Sequence, residues 1–205
     1  MRIHSDQRGN DVRERPVVTD DLRARATSNT WLQVFDPVLE KVLGPVGEAV
    51  VGRYLVDADG RITDTYVENP RLLRPENELE AALLLAGAGQ VGQDDVVVAL
   101  LGAELVLPLD PSRRERPHLV FRDEGPVRVV DAFTSAKVLP ADWPPHWQRR
   151  TGVELAVLFD RAGEDFVLRL CGPVGLRVDL PEAGLVRALR DVVGSGVVVA
   201  GEQSA

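Results

Sequence analysis

The segment "VVDAFTSAKVLPADWPPHW" holds residues that could carry out hydrolysis. Asp131, Ser135 and His146 are the residue types of a nucleophile, its base and the group that orients the base, and Thr134 adds a second hydroxyl. The chain lacks a Gly-x-Ser-x-Gly elbow, and His146 lies in a predicted proline-rich loop. We therefore expect Thr134 or Ser135 to cap a short helical turn after a strand, which makes this segment a corner of the fold.

Cys171 is a second candidate nucleophile. It is the only cysteine, so the chain can form neither an intramolecular disulfide nor a cysteine-based zinc site. Nucleophilic chemistry would need a nearby histidine or lysine, or a helix N-terminus, to lower the pKa of the thiol, and His118 is the only histidine predicted to lie in the sheet. Because Cys171 ends an apolar run, we expect a structural cysteine. A small hydrolase or transferase using Ser135 or Cys171 is the alternative.

Neither a metal nor another cofactor is predicted. Asp57-Ala58-Asp59-Gly60 resembles the start of an EF-hand loop, with Glu68 at the twelfth position, but the residues between them alternate as in a strand. The segment therefore favours a β-hairpin that turns at Gly60. The three histidines lack His-x-x-x-His spacing, and the glycines of "AGAGQVGQ" follow a helix instead of opening one.

Two tryptophans in the proline-rich segment, Trp143 and Trp147, are the main candidates for contact with another protein. Tryptophan is enriched in binding hot spots, and a proline-stiffened loop would present it at low entropic cost. The alternative is that both side chains fold back over the sheet and hold the loop in place. Together with Phe133, Thr134 and Ser135 they form the predicted partner-binding set.

The composition predicts a soluble globular protein. The 205 residues suffice for one well-packed domain, and the aromatic content of 5% indicates an aliphatic core. A net charge of -8 argues against nucleic acid as a partner. The N-terminus has no apolar signal region, and no run approaches the roughly 18 apolar residues of a membrane helix. We expect a cytoplasmic protein that does not insert into membranes.

The order of predicted elements is that of a single α+β domain with helices packed on a mixed or mostly antiparallel sheet. Residues 1–27 are predicted to be a disordered tail and residues 28–75 a strand-and-hairpin extension. Residues 76–193 should form the α+β domain, and residues 194–205 a final strand or tail. The predicted helices lie in "ENELEAALLLAGAGQ", "DDVVVALLG", "TGVELAVLF" and "PEAGLVRALRDVV".

Three local signals predict where elements begin or turn. Thr151-x-x-Glu154 is a capping box that opens a helix. Asp94 or Asp95 should cap "DDVVVALLG". Glu124-Gly125-Pro126 should turn a hairpin whose second strand ends at Phe133.

Several motifs together resemble the SseB N-terminal domain family. They are an Asn-x-Leu-Glu helix start, an apolar strand ending in proline, a Phe-Thr-Ser corner, and a Gly-Pro turn followed by "GLRVDL" and a helix. The residues concerned are Asn77, Leu79 and Glu80; Leu107 and Pro108; and Phe133, Thr134 and Ser135. The segments "TWLQVFDP", "GRYLVDADGRI", "ENPRLLRP" and "LPADWPPHWQRRTGVEL" are similar to actinobacterial members associated with type VII secretion.

One turn departs from the family pattern, because Cys171-Gly172 stands where relatives usually have Asn-Pro. The resemblance implies a small α+β domain without assigned catalytic residues or cofactor, found beside secretion systems or toxins. We therefore expect a non-enzymatic protein-binding module: an accessory, chaperone-like or immunity protein. Its partner would be a secreted substrate, a toxin or a secretion component. A scaffold subunit of a larger assembly is a further alternative.

Overall fold

The computed structural model describes residues 15–109, 119–141, 146–162 and 166–194 of the chain. They form helices and strands in an α+β arrangement, as predicted. The chain divides into two compact units, Met1–Leu73 and Arg74–Ala205, and each contains its own sheet.

The N-terminal unit is built on a three-stranded antiparallel sheet with the strand order β1-β2-β3. Its apolar cluster combines side chains from the first helix and from two strands: Leu22, Leu32, Val34, Tyr54 and Val56. The elements, in chain order, are α1 (Asp20–Ala24), β1 (Trp31–Phe35), α2 (Pro37–Leu43), β2 (Val50–Val56) and β3 (Ile62–Glu68), with a 3-10 turn at Gly47–Ala49 before β2.

Residues 15–27, which were assigned to the predicted tail, include the helix α1. Thr19 caps α1 by accepting the N–H of Leu22 at 3.3 Å, and the Leu22 side chain is buried in the cluster. The Tyr54 hydroxyl donates to the carbonyl of Pro16 at 2.5 Å. Burial of Leu22, packing of Val18 and Ala26 and the hydrogen bond to Pro16 therefore attach this charged segment to the N-terminal unit, which its composition did not predict. The tail residues 1–14 lie outside the described residues.

The β2–β3 hairpin is confirmed, with its turn at the predicted residues. The Asp57 carboxylate accepts the N–H of Arg61 at 2.8 Å, and Gly60 adopts a φ of 79° that favours glycine. Within the hairpin, Gly52 lies so close to the Tyr66 ring and the Val67 carbonyl that a Cβ would clash with both. Glycine is therefore required at position 52, where β3 pairs with β2.

The C-terminal unit contains a mixed six-stranded sheet. The strand order is β7-β4-β6-β8-β9, and β5 pairs with β6. The β6–β8 pair is parallel, whereas the other pairs are antiparallel. The elements are α3 (Glu78–Gly87), α4 (Gln93–Gly102), β4 (Glu104–Pro108), β5 (Arg122–Glu124), β6 (Val127–Phe133), β7 (Trp147–Thr151), α5 (Gly152–Ala162), β8 (Phe166–Cys171), β9 (Arg177–Pro181) and α6 (Glu182–Gly194).

The four helices of this unit pack against one face of the sheet. Alternate residues of the strands point into that core, which explains the period-2 burial of β8. The core is aliphatic, as the composition predicted, apart from Phe159 and Phe166, whose rings meet edge to face at 4.0 Å. Its fully buried side chains include Leu79, Leu83, Leu100, Leu105, Leu107, Leu155, Leu168, Leu170 and Leu185. Each contributes about 1.5–3 kcal/mol by burial.

The capping box at the start of α5 is confirmed. Thr151 donates its N–H to the Glu154 carboxylate at 2.8 Å, and its hydroxyl accepts the N–H of Glu154 at 3.2 Å. The prediction that Asp94 or Asp95 caps α4 is wrong, because the N-cap residue is Gly92. Asp95 instead accepts the N–H of Gly92 at 2.9 Å, one turn inside the helix.

Candidate functional site

The Phe-Thr-Ser corner at the end of β6 contacts the start of α3. Asn77 caps that helix by accepting the N–H of Glu80 at 2.9 Å, and its amide donates to the carbonyl of Thr134 at 2.9 Å. The Thr134 hydroxyl donates to the Glu80 carboxylate at 2.7 Å. The structure therefore joins two motifs that lie 54 residues apart in sequence.

Glu80 is a buried carboxylate whose two oxygens are both used. Glu80 and Thr134 are each only 1% exposed. The second carboxylate oxygen accepts the N–H of Glu76 at 2.8 Å, and Glu76 in turn pairs with Lys137. Because a buried charge is tolerated only when it is hydrogen bonded, these contacts make the corner a structural joint between β6 and α3.

The predicted capping role of Thr134 or Ser135 is wrong. Ser135 precedes the 3-10 turn Ala136–Val138, but its hydroxyl makes no capping hydrogen bond. Its Oγ is buried and has no hydrogen-bond partner among the described residues. Asp131 pairs with Arg122 at 2.7 Å, so Asp131, His146 and Ser135 form no hydrogen-bonded catalytic chain in this part of the protein.

Cys171 ends β8 beside Phe133 of the parallel strand β6. Burial, and then the charge of Asp131, raise the pKa of the thiol to about 11. The thiol is therefore protonated near neutral pH, which makes it a poor nucleophile. His118, the histidine considered as its base, lies outside the described residues.

Trp147 begins an edge strand and does not lie in the predicted loop. It pairs with Pro108 of β4 and is 39% exposed. The guanidinium of Arg149 lies 5.8 Å from the centroid of its ring. Trp143 lies outside the described residues. Of the predicted binding set, Phe133 and Thr134 are buried, so among the described members Trp147 offers the largest exposed surface.

A charged network lies on the sheet face opposite the helices. Asp131, Arg169 and Asp179 are aligned across β6, β8 and β9. Arg169 donates to Asp179 at 2.7 and 2.8 Å and to Glu124 at 2.8 and 3.0 Å. These hydrogen bonds lower the pKa of Glu124 and of Asp179. This network was not predicted from the sequence, although its members alternate with core residues along their strands.

The N-terminal unit contains a groove of about 380 Å³ beside β2 and β3. Its charged lining residues are Arg53, Glu68 and Arg71, and Gln33 and Val67 contribute to it from neighbouring strands. The sequence analysis did not identify this groove. No local motif could have done so, because its residues come from separate segments of the chain.

Two further properties concern only the described part of the chain. None of its helices has the length and apolar character needed to cross a bilayer. No group of three or more histidine, cysteine, aspartate or glutamate side chains in it is arranged to hold a metal ion.

Comparison with protein-family models, with curated proteins and with solved structures found no match to this chain. Function is therefore inferred from the geometry of its own residues and from the motif resemblance described above.

Proposed function

We propose that the chain is a non-enzymatic protein-binding module, an accessory, chaperone-like or immunity protein of a bacterial type VII secretion or toxin system. The resemblance to the SseB N-terminal domain family supports this neighbourhood. The observation that carries the binding role is Trp147, a large aromatic side chain that is partly exposed on the edge strand β7.

Strand β7 has the features of a binding edge. β4 is its only strand neighbour in the described part of the chain, so its other side carries backbone groups that a partner strand could pair with. Tryptophan and arginine are the residue types most enriched in hot spots, and Arg149 lies over the Trp147 ring. Arg149 is itself fixed by Glu104 at 3.0 Å.

The contacts of the candidate nucleophiles also favour binding over catalysis. Ser135 Oγ is buried without a hydrogen bond in the described part of the chain, and the Cys171 thiol has a raised pKa. The alternative of a small hydrolase or transferase using Ser135 or Cys171 would need the environment of the residue used to change. The net charge of -8 supports a basic partner, because complementary charge speeds association.

The test compares Trp147→Ala with the matched control Leu158→Ala. Leu158 is a similarly exposed apolar residue, but it lies on α5, away from the β7 edge. Each variant and the wild type would serve as bait in the source bacterium, with quantitative mass spectrometry and a melting temperature for every bait.

We expect the wild type and Leu158→Ala to retain a secretion component, secreted substrate or toxin. Trp147→Ala should lose about 30-fold in affinity for that partner, measured with purified proteins, without unfolding. Equal retention by both variants would contradict the role of β7. Assembly into one large particle would favour the scaffold alternative. Ester or acyl-transfer activity that Ser135→Ala or Cys171→Ser abolishes in a folded chain would favour an enzyme.

A further inference from the structure

The groove of the N-terminal unit is lined by three charged side chains. Arg53, Arg71 and Glu68 line it, and none of the three forms an ion pair among the described residues. Two guanidinium groups and one carboxylate leave one net positive charge. The volume of about 380 Å³ lies within the range of small-ligand sites.

Arg53 stacks on an aromatic ring. Its guanidinium carbon lies 4.6 Å from the centroid of the Trp31 ring, and its cross-strand neighbours are Gln33 and Val67. Stacking on an aromatic face uses the plane of the guanidinium and leaves its N–H donors at the edge. Those donors match the two oxygens of a carboxylate.

The rim that carries Arg71 is fixed by Asn69. The Asn69 amide donates to the carbonyls of Gly47 at 2.8 Å and Val50 at 2.7 Å. Its carbonyl oxygen accepts the backbone N–H of Arg71 at 3.1 Å. Two backbone segments, 47–50 and 69–71, are therefore tied together beside the groove before any ligand arrives, which reduces the entropy lost on binding.

We propose that this groove binds the C-terminal carboxylate of an extended peptide. One carboxylate balances the single net positive charge, whereas a dianion such as phosphate would exceed it and face Glu68. The remaining walls include Val50, Val67 and Pro70, which suit an apolar last side chain. This site uses none of the residues of β7 and is independent of the binding role proposed there.

The first experiment uses the tripeptide acetyl-Gly-Ala-Val with a free carboxylate as probe, titrated into the full chain and followed by amide NMR. We expect saturable shifts at groove residues including Arg53, Val67 and Arg71. The same peptide ending in an amide should bind at least tenfold more weakly, because it lacks the charge that the guanidinium groups recognise. N-acetylvaline, a small carboxylate without the preceding peptide, should bind more weakly than the tripeptide.

Three substitutions test the contribution of each charge to binding, and a fourth serves as a control. Arg53→Gln and Arg71→Gln should each weaken the acid peptide about tenfold. Glu68→Gln should strengthen it severalfold, since a like charge is removed. Arg61→Gln is the matched control, an exposed arginine at the hairpin turn outside the groove lining, and should leave affinity unchanged. All four side chains are exposed, so the melting temperatures should stay close to that of the wild type.

Several results would overturn the proposal. Equal binding of the acid and amide peptides would show that the groove does not recognise the carboxylate. Absence of binding by either peptide at concentrations on the order of millimolar would contradict a peptide site. N-acetylvaline binding as tightly as the tripeptide would exclude a peptide as the ligand. Tighter binding of inorganic phosphate than of the tripeptide would contradict the inference that the groove prefers a single negative charge.

Discussion

Arginines on the two sheets have opposite environments. In the C-terminal sheet, Arg169 makes four hydrogen bonds to Glu124 and Asp179, and Arg122 pairs with Asp131. In the N-terminal sheet, Arg53 lies between Gln33 and Val67 and stacks on Trp31, without an ion pair to any described residue. Cross-strand carboxylates make an arginine part of the fold, whereas neutral cross-strand neighbours leave it available to a ligand.

The two units also differ in the depth of their cores. The main cluster of the C-terminal unit has 19 buried residues covered by four helices, whereas the N-terminal cluster has five and includes only one leucine from α1. The N-terminal unit has fewer core side chains from which to draw stability. Its few buried contacts should therefore matter individually, although each is smaller than those at the centre of the larger core.

The largest expected effect is loss of a central core leucine. Leu168→Ala should lower the free energy of unfolding by about 3–5 kcal/mol, since the side chain is fully buried beneath the helices. Leu22→Ala should lower it by about 2 kcal/mol, because its small cluster leaves a smaller cavity. Urea denaturation measures both, with Leu158→Ala as an exposed control. A neutral Leu22→Ala would show that α1 does not contribute to the N-terminal core.

Loss of the corner hydroxyl should have the next largest effect. Thr134→Val keeps the volume but removes the donor to the buried Glu80 carboxylate, at a cost of about 2–3 kcal/mol. Thr134→Ser retains the hydroxyl and should cost less. Thermal melting of both variants provides the comparison. Equal stability of the valine variant and the wild type would mean that the Thr134–Glu80 bond contributes nothing.

Arg169→Gln tests the neutralised network and should cost about 1 kcal/mol, because its partners are partly solvated. Arg169 lowers the pKa of Glu124 and Asp179 in the folded state. Their stabilisation is fully present above the unfolded carboxyl pKa of about 4 and is lost as pH falls through the folded pKa. The variant should therefore lose less stability than the wild type between about pH 6 and about pH 3.

Melting temperatures across that pH range check the expectation. Arg61→Gln, at an exposed position of the turn between β2 and β3, serves as the control. Parallel pH profiles of Arg169→Gln and the wild type would show that the network does not contribute to the acid sensitivity of the fold.

The smallest expected effect on stability is that of Arg53→Gln. The substitution removes only an exposed cation–π contact, so the free energy of unfolding should fall by about 0.5 kcal/mol. Chemical denaturation beside Arg61→Gln measures the difference. A loss as large as that of Arg169→Gln would place Arg53 among the structural arginines and remove the contrast between the two sheets.

Local sequence signals predicted most elements of this fold. The alternation in β1 and β2, the turn at Gly60 and the Thr151–Glu154 box each depend on residues within a few positions of one another. The missed element, α1, has only five residues and one buried side chain. Such a helix is stabilised by docking, so its own sequence contains little periodic signal.

The candidate sites were harder to predict because they depend on pairing between distant segments. The Thr134–Glu80 bond joins β6 to α3, and the neighbour that places Trp147 in a strand is β4. Prolines before Trp147 favoured a loop, but pairing with Pro108 determined the structure. The Asn-x-Leu-Glu and Phe-Thr-Ser motifs were two separate parts of the family resemblance, and only the structure shows that they are hydrogen bonded to each other.

The parallel pairing of β6 with β8 has a consequence for folding during synthesis. Phe133 pairs with Cys171, so the central strands of the C-terminal sheet can meet only after the intervening β7 and α5 have left the ribosome. The N-terminal strands pair within residues 31–68 and need no later segment. The N-terminal unit can therefore fold first, and one edge of β6 remains unpaired until β8 has been synthesised. A stalled chain that ends before β8 would expose that edge to aggregation or to a chaperone.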